Sequence, residues 1–312
     1  MSSTNATRGR RVVISGATGL IGSRLAIFLQ EKDHRVDRLV RRLPPLELTE
    51  IAWNPSQGRI DAAALEGADA VVHLAGENIG AGRWTFERKD RILKSRVEST
   101  RLLCGALAGL QNKPRVLVSA SAIGFYGDRG DEVVREDSSP GAGFLAEVCQ
   151  AWEAATEPAR MAGIRVINAR LGMVLAGEGG ALAAMLPAFR FGLGGPMGSG
   201  KQFLSWVALS DLVRIIQFLI ETESISGPVN AASPNPVTNA EFAKTLGRVL
   251  HRPALFRLPA PIIRLIFGEM GQALFLDGVR IAPAQLLAKG FQFLYPELEG
   301  AMRRELEKSR RP

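Results

Sequence analysis

Three glycines, Gly16, Gly19 and Gly22, recur at three-residue intervals in VVISGATGLIG, residues 12–22. Their chemistry is anion holding. Gly16 permits a tight turn, Gly19 lets backbone approach a pyrophosphate, and Gly22 lets the following helix pack closely on a sheet. The N–H groups of Thr18, Gly19, Leu20 and Ile21 then meet anionic oxygens at a helix N-terminus. A glycine triplet alone also builds ordinary turns; a β-rich run before it and an apolar helical stretch after it favour the pyrophosphate.

The next chemical signal is DRLVRR, residues 37–42. A site preferring NAD places an acidic side chain at the end of its second strand, against the ribose diol. Here Arg41 and Arg42 stand there instead, with guanidinium groups suited to a 2′-phosphate, and Asp37 comes too early. The expected cofactor is therefore NADP(H) rather than NAD(H), with a solvated arginine pair as the plainer alternative. Leu74, Ala75 and Gly76 follow another strand, AVVHL, and are small enough to let backbone approach the adenosine half of the cofactor. His73, inside that strand, reads as a packed and hydrogen-bonded histidine.

Positioning these groups takes an alternation of strand and helix. Strands are expected at Val12–Ser15, Arg35–Val40, Ala70–Leu74, Val116–Val118, Ile164–Ala169 and Pro228–Ala231. Helices are expected at Leu20–Gln30, Phe86–Leu110, Phe144–Met161 and Val237–Leu250, the last capped by Thr238 with Glu241 three residues on. Ser210 or Asp211 is expected to cap a further helix. The fold class that follows is α/β, a Rossmann-like, mostly parallel sheet with helices on both faces and a smaller C-terminal substrate-side lobe. Residues 1–175 form the dinucleotide-binding core on this reading. Residues 176–312 mix the substrate-side lobe with segments returning to the core.

Composition narrows the function classes. With 46% hydrophobic and 22% charged residues the 312-residue chain reads as a folded globular protein. Its longest apolar run, Leu212 to Ile220, is interrupted by Arg214 and Gln217 and is far below bilayer length. The opening SSTNATRGRR lacks the apolar segment of a secretory leader. Two cysteines and three scattered histidines offer neither a disulfide framework nor a metal site, so a cytoplasmic location is expected. The net charge of +8 gathers in terminal arginine clusters without aromatic platforms, which does not predict specific nucleic-acid binding. The partners expected are an unidentified small molecule and, as a possibility left open, a second copy of the chain.

The motifs GATGLIG (16–22), HLAGENIGAGRW (73–84), SASAIGFYG (119–127), FLAEVCQAWE (144–153) and ARLGMVLAGEGG (169–180) resemble the extended short-chain dehydrogenase/reductase superfamily. More narrowly, the chain resembles NAD-dependent-epimerase-like proteins that end in a small domain of unknown function. That resemblance implies a serine after the fifth strand and a Tyr-x-x-x-Lys pair that moves a proton. Ser119 and Ser121 match the strand-end motif, Ser121 being the better cleft hydroxyl or else a serine that satisfies nearby backbone. The pair is missing. Neither Tyr126 nor Tyr295 has a lysine four residues later; aligning on Glu153 puts Leu145 and Cys149 in its place, and a shift of one residue puts Phe144 and Val148 there. Tyr126 is retained as a substitute catalytic group beside Ser121, in competition with a packing role. Glu147, Lys94, Arg96, Asp211 and Asn230 are further polar candidates. The resulting expectation is an NADP(H)-dependent oxidoreductase or nucleotide-sugar-epimerase-like protein working by hydride transfer. The alternative is a catalytically weak or inactive NADP(H)-binding sensor.

Overall fold

The computed structural model describes residues 9–41 and 47–308. β1 (Arg11–Ser15) splits its side chains between two apolar layers. Val12 and Ile14 join Leu25 and Leu29 of α1 (Leu20–Gln30), while Val13 joins the opposite layer with Val71 and Leu117. This period of two makes β1 a central strand covered on both faces. β2 (Arg35–Val40), β3 (Glu50–Asn54) and β4 (Arg59–Ile60) extend the sheet to one side. β5 (Ala70–His73) lies on the other side, and the long helix α2 (Phe86–Gly109) crosses over to β6 (Val116–Ala122).

After the short β7 (Val133–Val134), helices α3 (Phe144–Ala154) and α4 (Glu157–Met161) lead to β8 (Arg165–Leu171). β9 (Met173–Leu175), α5 (Gly180–Arg190), β10 (Phe203–Leu204) and β11 (Trp206–Ala208) leave the main sheet. The chain then returns through α6 (Leu209–Glu221) to the edge strand β12 (Gly227–Ala231). β13 (Val237–Thr238) and α7 (Asn239–Leu250) precede a largely helical C-terminal lobe. It comprises α8 (Ala260–Phe267), α9 (Glu269–Gly271), the short β14 (Arg280–Ile281), α10 (Ala284–Ala288) and α11 (Leu298–Lys308).

The main sheet runs β12-β8-β6-β5-β1-β2-β3-β4, parallel throughout except for β3 against β4. The expected Rossmann-like architecture is the observed one. Succession reverses between β1 and β5, because β2 continues one way and β6 the other. A crevice opens at such a switch point, beyond the C-terminal ends of the strands.

Local expectations fared unequally. Phe144–Met161 is two helices, not one, since Pro158 has no N–H to continue the ladder and instead sits in the first turn of α4. The strand expected at Val116–Val118 runs on to Ala122, held by pairing with β8 through Ala122 and Leu171. Neither Ser210 nor Asp211 caps α6. Its N-cap is Ala208, and the Ser210 N–H donates to buried Glu305 at 2.9 Å, a carboxylate from the far end of the chain. Thr238 and Glu241 do form the capping box of α7. Among the described residues, no helix is long and apolar enough to cross a membrane.

Candidate active site

The loop after β1 meets the loop after β5 at the switch point. Gly16 has φ +71°, and a Cβ placed on it would stand 2.8 Å from the Leu74 carbonyl carbon. Gly22 is tighter still: a Cβ there would lie 2.2 Å from the Gly16 oxygen. The expected division of labour has a geometric basis at both positions, a left-handed turn at Gly16 and close helix packing at Gly22. Gly19 is the N-cap of α1, with no side-chain cap and no acidic residue in the first turn. The opening N–H groups of α1 and its positive dipole end are therefore not met by a capping side chain or a first-turn carboxylate. Thr18 and Gly19 are exposed there, Leu20 and Ile21 half-buried.

Two further features shape this end. Arg41 is exposed just beyond β2, whose Leu39 pairs with Ser15, so it leaves the sheet on the same side as the glycine turn. Arg42 lies outside the described residues. Asp37 is buried between Arg11 at 2.7 Å and Arg35 at 3.1 Å, inside the strand and away from its end. Gly179 and Gly180, at the end of the ARLGMVLAGEGG motif, pack against the head of α1: Cβ atoms there would stand 3.1 and 3.3 Å from the Leu20 side chain.

A buried brace holds the two loops together. The Ser15 hydroxyl contacts His73 Nδ1 at 2.6 Å and receives the Leu74 N–H at 3.1 Å. His73 Nε2 meets the Thr100 hydroxyl on α2 at 3.0 Å. Complete burial pushes the imidazole pKa down to about 4, so His73 is neutral and structural at ordinary pH. Gly76 abuts α2 through Arg96, whose guanidinium carbon would lie 3.3 Å from a Cβ on Gly76. Arg96 also donates to the Glu77 carbonyl at 3.0 Å and stacks over Trp152 of α3 at 5.1 Å. Lys94, by contrast, is exposed and paired with Asp90.

The strand-end serine points into the protein. Ser121 is 1% exposed and its hydroxyl donates to Glu153 at 2.7 Å. Both oxygens of Glu153 are gripped by Arg170, at 2.8 and 2.9 Å. Arg170 in turn donates to the Tyr126 hydroxyl at 2.9 Å, and that hydroxyl donates to Asn230 Oδ1 at 2.7 Å. Tyr126 is fully buried, and desolvation raises its pKa despite the neighbouring Arg170. Asn230 carries the chain of bonds to the Ala282 carbonyl, while Glu136 accepts the N–H groups of Asn230 and Gln285. Ser121 and Tyr126 thus share one buried network that ties α3, β8 and β12 to the C-terminal lobe. Arg170 and Glu136, its other anchors, carried no sequence signal.

Phe144 and Leu145 of α3 are half-buried in apolar surroundings. Leu145 packs on the loop after β6, its Cβ 3.1 Å from where a Cβ on Gly124 would stand. With Phe144 it belongs to a cluster around Trp84, Val148 and Met270, and Trp84 meets Phe144 edge-on at 5.1 Å. Cys149 is buried, and desolvation pushes its thiol up to about 11. Glu147 is exposed on another face of the helix.

Residues 12–232 match the NAD dependent epimerase/dehydratase family, and residues 258–305 match a domain of unknown function, DUF1731. The chain belongs to the NAD dependent epimerase/dehydratase family. An epimerase family protein of Mycobacterium leprae is 46% identical over 288 residues, covering 92% of this chain and 93% of its own length. Human epimerase family protein SDR39U1 is 36% identical over 298 residues, covering 94% and 98%. The crystal structure of that human protein with NADPH superposes with a TM-score of 0.86 at 34% identity, covering 95% of this chain and 99% of its own. A nucleoside-diphosphate sugar epimerase of Corynebacterium glutamicum gives a TM-score of 0.78 at 38% identity, covering 96% of this chain and 58% of its own. The extended-epimerase character and the C-terminal unknown-function domain implied by the sequence motifs are both present in this family member.

Proposed function

We propose that this protein binds NADPH at the β1–β5 crevice and works as a reductase on a small molecule. The observation that supports this reading is the Gly16–Leu74 approach, which admits no side chain larger than glycine, at the head of an α1 whose first N–H groups have no side-chain cap. In this reading Gly16, Thr18, Gly19, Leu20, Ile21 and Gly22 surround the pyrophosphate. Leu74, Ala75 and Gly76 flank the adenosine half, and Arg41 takes the 2′-phosphate. The cofactor supplies a hydride. The protein binds, orients and screens.

Net reduction is favoured over epimerisation by the residues of α3 and β6. Epimerisation first oxidises an alcohol, which requires a base for the hydroxyl proton. Leu145 carries no such group, the Cys149 thiol is buried and hard to ionise, and the hydroxyls of Ser121 and Tyr126 are committed to Glu153 and Asn230. On this reading Ser121 and Tyr126 hold the buried network behind the site and take no part in catalysis. A cytoplasm-like reducing location suits the two buried free cysteines.

The test is NADPH consumption over a panel of carbonyl, quinone and sugar-nucleotide substrates. Measurable consumption with a product reduced by two electrons supports the reading. Inversion of a sugar carbon with no net NADPH loss would replace it by epimerisation. Tight NADPH binding with no turnover at all would favour the sensor.

A further inference from the structure

Four large apolar side chains project where two distant segments run side by side. Residues 190–196 lie against residues 252–258. Arg252 Nε donates to the Arg190 carbonyl at 3.0 Å, the Phe256 N–H to Gly194 at 3.2 Å, and the Leu258 N–H to Pro196 at 2.9 Å. A Cβ on Gly192 would stand 3.5 Å from Pro253. On the inner side Leu186, Phe189 and Ala254 anchor the pair to a buried layer with Trp206 and Phe242. On the outer side Phe191 and Leu255 are each 82% exposed, Leu193 61% and Phe256 59%. The chain then passes through Pro259 into α8, whose Ile262, Leu265 and Ile266 share one exposed face at i, i+3, i+4 spacing.

The charges on these segments are of one sign. Residues 179–210 and 242–268 contain no Asp or Glu. Arg190, Arg252, Arg257 and Arg264 are all exposed there. Arg252 bonds only to carbonyl oxygens and Arg264 to Gln272, while the Arg190 and Arg257 side chains have no partner among the described residues. Two carboxylates border α8: Asp277, within electrostatic reach of Arg264, and Glu269, already paired with Lys89. Arg248 of α7 is paired with Glu299. An anionic lipid surface answers both features. It takes up projecting apolar groups without a matching pocket, and arginines beside them reach lipid phosphates. A second copy docking through the same face would set two groups of arginines against each other.

We propose that this surface docks the protein on an anionic lipid bilayer. Phe191, Leu193, Leu255 and Phe256 enter the boundary between headgroups and acyl chains, and Arg190, Arg252 and Arg257 lie on the phosphates. The docking is peripheral and is independent of what the β1–β5 crevice binds.

The probe is a vesicle of phosphatidylglycerol and phosphatidylcholine in equal parts, with phosphatidylcholine alone for comparison, on the full-length chain. The protein is expected to sediment with the anionic vesicles, less so as salt rises, and to stay in solution with the neutral ones. Trp53, Trp84, Trp152 and Trp206 are buried, so Phe256→Trp adds one exposed reporter. Its emission is expected to shift to the blue on anionic vesicles and to be quenched by brominated acyl chains. Phe191→Ser with Leu255→Ser is expected to weaken vesicle binding at least tenfold. Arg190→Gln with Arg257→Gln is expected to weaken it about thirtyfold, at roughly fivefold per charge. Unchanged denaturant midpoints show that both double variants are folded, because the side chains they alter stand in water. The proposal is overturned if the parent ignores anionic vesicles, if it binds neutral ones equally well, or if Phe191→Ser with Leu255→Ser binds like the parent. An unmoved Phe256→Trp emission on bound vesicles overturns it too. A parent that is dimeric by sedimentation, monomeric in Phe191→Ser with Leu255→Ser and indifferent to vesicles replaces it with a contact between copies.

Discussion

Ser121 Oγ lies 2.7 Å from Glu153 Oε1, and because Glu153 is also held by Arg170 it can only accept, so the serine proton points away from the crevice. A hydroxyl at the expected position in sequence is thereby spent on fold. Ser121→Ala is expected to lower stability by ~1.5–3 kcal/mol, the range for a hydrogen bond to a charged group, and to leave NADPH affinity unchanged. Glu153→Gln removes the charge opposite buried Arg170 and is expected to cost ~3–5 kcal/mol. Denaturant unfolding of both variants, alongside calorimetry, checks the order. A large loss of NADPH affinity in Ser121→Ala would return the hydroxyl to the site.

Asp211 makes a second long-range tie. It is 0% exposed, accepts the N–H groups of Leu294 and Tyr295 at 2.9 Å each, and pairs with Arg214. Asp211→Ala strands both N–H groups, and each buried unsatisfied donor costs ~1–3 kcal/mol. Proteolysis of the native protein is expected to cut faster within the segment that leads to α11.

His73 makes stability depend on pH. Its folded pKa, about 4, lies below the ordinary 6.5, so the unfolded chain binds a proton that the folded chain refuses between those values. Stability from this residue is complete above about pH 6.5 and falls as pH drops toward 4, by up to ~3 kcal/mol at one pKa unit per 1.36 kcal/mol. His73→Asn is expected to be less stable at neutral pH and to show a flatter acid limb. Unfolding midpoints across that range read both effects.

Both cysteine thiols are buried and pushed up, Cys149 to about 11 and Cys104 to about 12. Thiolate is the reacting form, so iodoacetamide near neutral pH is expected to label neither in the native protein and both in denaturant. Rapid native labelling of Cys149 alone, seen by mass spectrometry, would make it an activated thiol.

The fold was largely legible because its signals are local. The glycine triplet sits between its own strand and helix, the period-two runs mark buried parallel strands, and Thr238–Glu241 spells a cap within four residues. What escaped depends on partners far along the chain. Glu305 supplies the α6 cap, β8 pairing draws β6 out to Ala122, and Glu153 turns Ser121 inward. Pro158 is the exception, a local break in a helical pattern that hydrophobic periodicity alone overran.

Arg41 is exposed at the end of β2, on the side of the sheet where the glycine turn opens. Arg41→Ala is expected to weaken NADPH by roughly 10–100-fold, the equivalent of one charge-assisted contact of ~1.5–3 kcal/mol, and to leave NADH where it was. Equal losses for both cofactors would place the arginine elsewhere on the ligand or show a general disturbance of the loop.

The most direct test is calorimetric titration of the cofactor-stripped protein with NADPH and with NADH. The account predicts one saturable NADPH site and markedly weaker NADH binding, with the preference diminished in Arg41→Ala. A folded protein that binds neither cofactor would contradict the reading of the β1–β5 crevice as a dinucleotide site.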